Sequence, residues 1–174
     1  MDNPLSYKNE EDRTYGLTGM AVALAYMDAL DRVASISLDS DGPMVTFSNE
    51  FYYLGSQSAS PKAVRRKLTE NYQLTSVLAV SNVLSRCYVH EHISPADELL
   101  EPLREAIGAE GKETLDLDDD EIEQVFSRVV SYSRRIFGNL RLHPLIDKFA
   151  GTIGRRRTLT GREIAEELEY LRML

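Results

Sequence analysis

Cys87, His90, Glu91 and His92 bring together the side chains that most readily hold a transition metal. His90 and His92 converge if the segment is extended, where alternate residues share a face, and diverge if it is helical. The apolar spacing before them puts the group at a helix end, where polar residues are ordinarily solvated. The acidic run Asp116, Asp118, Asp119, Asp120, Glu121 and Glu123 supplies calcium-type oxygen donors, but without the mid-loop glycine and bidentate spacing of an EF-hand. Acidic groups that open a helix complement its positive end, and the run reads that way. Ser56, Ser58 and Ser60 stand in a polar loop with no histidine near them in sequence, so a serine nucleophile lacks its base. Arg134-Arg135 and Arg155-Arg156-Arg157 are phosphate-binding types that, in an acidic chain, read as solvated surface pairs. Gly151-Thr152-Ile153-Gly154 is too short for a nucleotide loop, and no catalytic residue emerges. Tyr52, Tyr53, Tyr72, Tyr88 and Tyr132 provide amphipathic surface suited to a protein interface, and core packing accounts for them equally well.

The elements that would position these groups are mostly helices. Thr14 to Arg32 is apolar nearly all round and predicts a central helix with neighbours on several sides. Val33 to Leu38, the turn signal Asp41-Gly42 and Met44 to Phe47 predict one short β-hairpin, the only sheet expected. Ser60-Pro61 opens a helix through Val64 and Leu68, followed by a second carrying Leu74 to Leu84. Ser94-Pro95 repeats that start signal for a helix expected to stop at Gly108, with Gly108 to Gly111 a flexible loop. From Asp118 the apolar positions Ile122 to Phe137 keep helical spacing up to Gly138-Asn139. Leu142 to Ile153 marks another helix, and Thr160-Gly161-Arg162-Glu163 has capping-box spacing for a last one, with Ile164, Leu168 and Leu171 inward.

The 174 residues suit a single domain, residues 1–174, with a core of its own. A net charge of -8 opposes nucleic-acid binding, and the longest apolar run, Met20 to Met27, is far short of a membrane span. One cysteine forms no internal disulfide, and Glu10, Glu11 and Asp12 occupy the place of a basic signal-peptide start, so a cytoplasmic protein is expected.

Three segments carry a resemblance. Tyr15, Gly19 and Ala21 form the frame of a Tyr-His-Glu-Ala-Gly-His-Ala helix, with Asp31-Arg32-Val33-Ala34-Ser35-Ile36-Ser37-Leu38 as the strand after it. Thr158-Leu159-Thr160-Gly161-Arg162-Glu163-Ile164 matches a Thr-Leu-x-Gly-x-Glu-Ile motif near the end. In this order they resemble the peptidase domain of the FtsH-type zinc metalloproteases of the AAA+ class. The resemblance implies a mainly α, FtsH-peptidase-like domain with one small β-hairpin. It also implies that Gly16, Leu17 and Met20 stand where that family has its first histidine, its glutamate base and its second histidine.

Those three residues cannot do the family's chemistry. Glycine has no ligand, leucine accepts no proton, and a thioether is a poor zinc ligand beside hard donors. The family's Asn-Asp pair, source of its third ligand, occurs nowhere in the chain, and neither does a phosphate-binding Gly-x-x-x-x-Gly-Lys-Ser/Thr. The expectation is therefore a non-catalytic protein-binding or scaffolding module with no cofactor, acting through a protein partner or self-association. The alternative is a metal-dependent hydrolase rebuilt around His90 and His92, and a third reading is a homo-oligomeric structural protein.

Overall fold

A computed structural model describes residues 3–52 and 60–169, and it is mainly helical with one small antiparallel sheet. Helix α1 spans Glu10–Tyr26, strands β1 and β2 span Val33–Ser37 and Val45–Phe47, and a short α2 spans Asn49–Tyr52. Helices α3 (Pro61–Ser85), α4 (Asp97–Leu115), α5 (Asp119–Phe137) and α6 (His143–Arg156) follow, then β3 (Thr158–Thr160) and α7 (Gly161–Glu167). Ser56, Ser58, Tyr53 and Leu171 lie outside the described residues. No helix among the described residues is long and apolar enough to cross a membrane.

The central helix is real but shorter at its end than the apolar run predicts. It begins at Glu10, where the Asn9 side chain accepts from Asp12 N–H, and it ends at Tyr26 rather than Arg32. Asp28 takes a left-handed backbone, φ 53°, which Asp tolerates better than most residues, and a 3₁₀ turn at Leu30–Arg32 then feeds β1. Leu17, Ala21, Val22, Ala23 and Leu24 are all fully buried, so α1 is enclosed as its sequence requires.

The hairpin forms as expected, and its weak alternation has a cause. The pairing runs Val33 with Phe47, Ser35 with Thr46 and Ile36 with Val45, with a bulge between Val33 and Ser35. The extra residue turns both Val33 and Ile36 inward although they are three apart. The hairpin is not the whole sheet, because Thr158–Thr160 adds a third strand to the other edge of β1, with Ile36 opposite Leu159.

Two expected breaks are absent. Residues 61–85 form one helix rather than two, capped by Ser60 with Pro61 in the first turn. The polar stretch between Leu68 and Leu74 contains no glycine or proline, and Thr69 and Thr75 return their hydroxyls to the carbonyls of Arg65 and Asn71. Helix α4 starts after Ala96, not at Ser94, and runs past Gly108 and Gly111 to Leu115. Those glycines mark close approach, not a loop: a Cβ on Gly108 would sit 3.2 Å from Ile122 of α5, and one on Gly111 2.6 Å from the Tyr72 hydroxyl of α3. Helix α5 opens with a capping box, Asp118 and Glu121 each bonding the other's backbone N–H. The acidic run is thereby absorbed, with Asp116 ending α4 in a left-handed conformation, Asp119 pairing with Lys112 and Glu123 with Arg104.

The tightest joint of the molecule is α1 on α3. A Cβ on Gly19 would meet the Ser81 carbonyl and lie 2.5 Å from Ser85 Cβ, so alanine there must push the helices apart. Gly19→Ala is expected to lower the unfolding free energy by about 1–3 kcal/mol despite its better helix propensity. Urea denaturation checks this, and a variant as stable as the parent would mean the joint is slack.

Candidate functional site

The face of α1 that the resemblance singles out is pressed against α3. Asp12, Gly16 and Gly19 follow at helical spacing and meet Arg86, Asn82 and then Ser81 with Ser85, so the two helices run antiparallel along this seam. At Gly16 the space that a side chain would need is taken by Asn82, whose Oδ1, Nδ2 and Cγ lie 2.8, 2.9 and 3.0 Å from a built Cβ. Asn82 is itself held, donating from Nδ2 to the Tyr7 hydroxyl at 2.7 Å. Leu17 points into the core with no exposure, and Met20 is half-buried.

Met20 lines an open groove of about 380 Å³ with Tyr7, Arg13, Met44, Phe47 and Asn82. Met20 therefore sits neither in plain core nor in a wholly apolar groove. The hairpin supplies apolar walls, but Arg13 and Asn82 bring polarity, and Arg13 donates to the Ser40 carbonyl at 2.8 Å. This set does not fit zinc, because beside the Arg13 guanidinium and the Asn82 amide the groove offers a single carboxylate, Asp41, and no histidine or cysteine. Among the described residues no group of three or more His, Cys, Asp or Glu stands close enough to share a metal.

The residues at the seam's end were not anticipated from sequence. Arg86 has no exposure, and its Nε and Nη2 donate to Asp12 Oδ1 and Oδ2 at 2.8 and 2.6 Å. Its Nη1 donates to the Pro4 carbonyl at 2.7 Å and its Nη2 also to the Ser6 carbonyl at 2.6 Å. The Tyr7 ring covers the guanidinium at 4.8 Å. Asp12, 1% exposed, accepts a further bond from Lys8 N–H at 2.9 Å. Burial works to raise the Asp12 carboxyl, and the bonds from Arg86 and Lys8 with the charge of Arg86 overcome it, holding it below the usual carboxylate range. This arrangement is a clasp: it ties residues 4–8 over the crossing of α1 and α3.

Beyond Arg86 the chain winds into a π-helical turn, Arg86–His90. It separates the candidate metal ligands. Cys87 is fully buried, and burial, followed by the charge of Glu91, pushes its thiol up to about 11, so it is no nucleophile at neutral pH. His90 stacks on the Tyr15 ring with centroids 4.5 Å apart, and Glu91 pairs with Lys8 at 2.8 Å. His92 follows with φ 56°. Tyr15 in turn donates to Asp147 Oδ1 at 2.8 Å, joining α1 to α6, and burial, then this bond, holds its phenol above the usual range.

The arginine runs are mostly engaged. Arg157 pairs with Glu10 and Asp39, Arg156 with Glu163, Arg155 donates to Thr152, and Arg134 reaches Asp97 at 3.4 Å. Of the tyrosines, Tyr72 is buried and bonds the Ile107 carbonyl, while Tyr88 approaches Ser94 at 3.3 Å. Tyr132 lines an apolar groove between α3 and α5.

Fold and seam together define a mainly helical domain with a three-stranded edge sheet and a buried Asp–Arg clasp. Compared with known families, with curated proteins and with solved structures, the chain matches none of them.

Proposed function

We propose that this chain is a non-catalytic protein-binding or scaffolding module of the cytoplasm, built on a degenerate zinc-peptidase-like fold. One observation carries the reading. The position corresponding to a first zinc-binding histidine is Gly16, and the side chain of Asn82, anchored on Tyr7, fills the volume that a ligand would need. A chemistry lost only by substitution would leave a vacant cleft, whereas the space beside Gly16 is occupied by Asn82 of a neighbouring helix. Leu17 in the core and Met20 beside Arg13 extend the same trend toward packing.

Protein purified without chelator is expected to carry well under about one zinc per ten chains, the level of adventitious metal, and to leave casein intact. Elemental analysis and a casein digest check both. Near-stoichiometric zinc with chelator-sensitive cleavage would overturn the proposal.

A further inference from the structure

The seam between α3 and α5 opens on the surface as a groove of about 310 Å³. Met27, Val77, Val125, Val129 and Tyr132 wall it, and Arg128 and Arg135 stand at its rim. Val125, Arg128, Tyr132 and Arg135 succeed one another at three- and four-residue spacing, so apolar and cationic groups form one stripe along α5. Both arginines are exposed, and among the described residues neither has an ion pair; Arg135 instead lies 5.9 Å over the Tyr132 ring. The other arginines discussed above bond carboxylates or backbone carbonyls, or, for Arg155, the Thr152 hydroxyl. In a chain of net charge -8, two uncommitted cations flanking an apolar trough form a local reversal of the field.

We infer that this groove docks an acidic amphipathic helix of a partner protein. Resting on the protein-binding reading above, this names the surface and the chemistry of the partner. The trough lies between two packed helices, the setting in which a third helix lays its apolar stripe, and Met27 at one end supplies a side chain that adapts its shape. Arg128 and Arg135 select carboxylates on the flanks of that helix, and the acidic remainder of the molecule repels cationic competitors.

The test uses two labelled helical peptides of about 16 residues, roughly 24 Å long, with leucines at i, i+3 and i+7. One carries glutamate at the flanking positions and its twin carries lysine. Fluorescence anisotropy with the full chain is expected to show the acidic peptide binding at least about tenfold more tightly, with the preference weakening as salt rises. In Arg128→Glu/Arg135→Glu, a surface change that leaves the core intact, the preference should reverse. Tyr132→Ala should weaken the acidic peptide about tenfold without changing which twin is favoured. Equal affinity for the twins, no binding of either near about 1 mM, or indifference to the double reversal overturns the inference. A concentration-dependent dimer that the double reversal abolishes would assign the groove to a second copy and overturn the partner reading. The outcomes are separable, because zinc or casein cleavage sinks the non-catalytic reading alone, and peptide indifference sinks the groove alone.

Discussion

Replacing Arg86 by methionine is expected to lower the unfolding free energy by about 3–5 kcal/mol, the range for breaking a buried pair from one side. The substitution keeps much of the buried volume but strands three groups at once. Asp12 loses both guanidinium bonds at 1% exposure, and the Pro4 and Ser6 carbonyls lose their donor. For a chain of this size the melting temperature should fall by about 10 °C. Asp12→Leu/Arg86→Met, which removes both charges, should cost much less than the two single changes added together, since the penalty lies in the charge left alone. Thermal and urea melts of the singles and the double decide it. An Arg86→Met variant within about 1 kcal/mol of the parent would mean that the clasp is ornamental to the fold.

The same pair sets an acid limit. Asp12 titrates below its unfolded value of about 3.9 in the folded chain, so the folded state holds its proton less tightly than the unfolded state does. Its contribution is therefore complete above about pH 5 and is lost as pH falls through the folded value, below about pH 4. Asp12→Asn should remove that part of the acid slope while lowering stability at neutral pH.

Why this clasp stayed invisible in the sequence, when much of the fold did not, follows from the range of the signals. Helix α5 announces itself because Asp118, Glu121 and the apolar stripe from Ile122 to Phe137 all lie within one segment and agree. The hairpin is readable from Asp41-Gly42 and the β-prone segments around it, even though the bulge near Val33 blurs the alternation. Strand β3 is only Thr158–Thr160, too short to show a period, and exists because Leu159 packs opposite Ile36 across the sheet. Gly108 and Gly111 misled because a glycine serves a loop and a close helix contact alike, and only the position of Ile122 and Tyr72 tells which. Asp12 and Arg86 are 74 residues apart with no local pattern linking them. Gly16 and Gly19, three apart on a helix whose middle is largely apolar, were the one local hint that another helix comes close there.

Introducing the residues of the zinc-peptidase motif that the chain resembles, as Gly16→His, Leu17→Glu and Met20→His together, is expected to destabilise the chain by at least about 4 kcal/mol and to give only weak zinc affinity. The three changes differ in kind, and the structure ranks them. Leu17→Glu places a carboxylate where leucine has no exposure, so it should dominate. Gly16→His must evict Asn82 from the Tyr7 hydroxyl to make room for even its first carbon, 2.8 Å from Asn82 Oδ1, a cost of about 1–3 kcal/mol. Met20→His alone should fall within about 1 kcal/mol of the parent, since Met20 is half-buried at the edge of an open groove. Melts of the singles and the triple, each with and without one equivalent of zinc, read the order directly. A triple variant that melts as high as the parent, and higher still with zinc, would require Asn82 to move aside at little cost and leave an organised site behind it. The seam between α1 and α3 would then be a lid over a conserved geometry, and the proposal that packing has replaced catalysis would fail. If Leu17→Glu carries most of the loss and zinc recovers little of it, what bars the chemistry is the core that has closed around these positions.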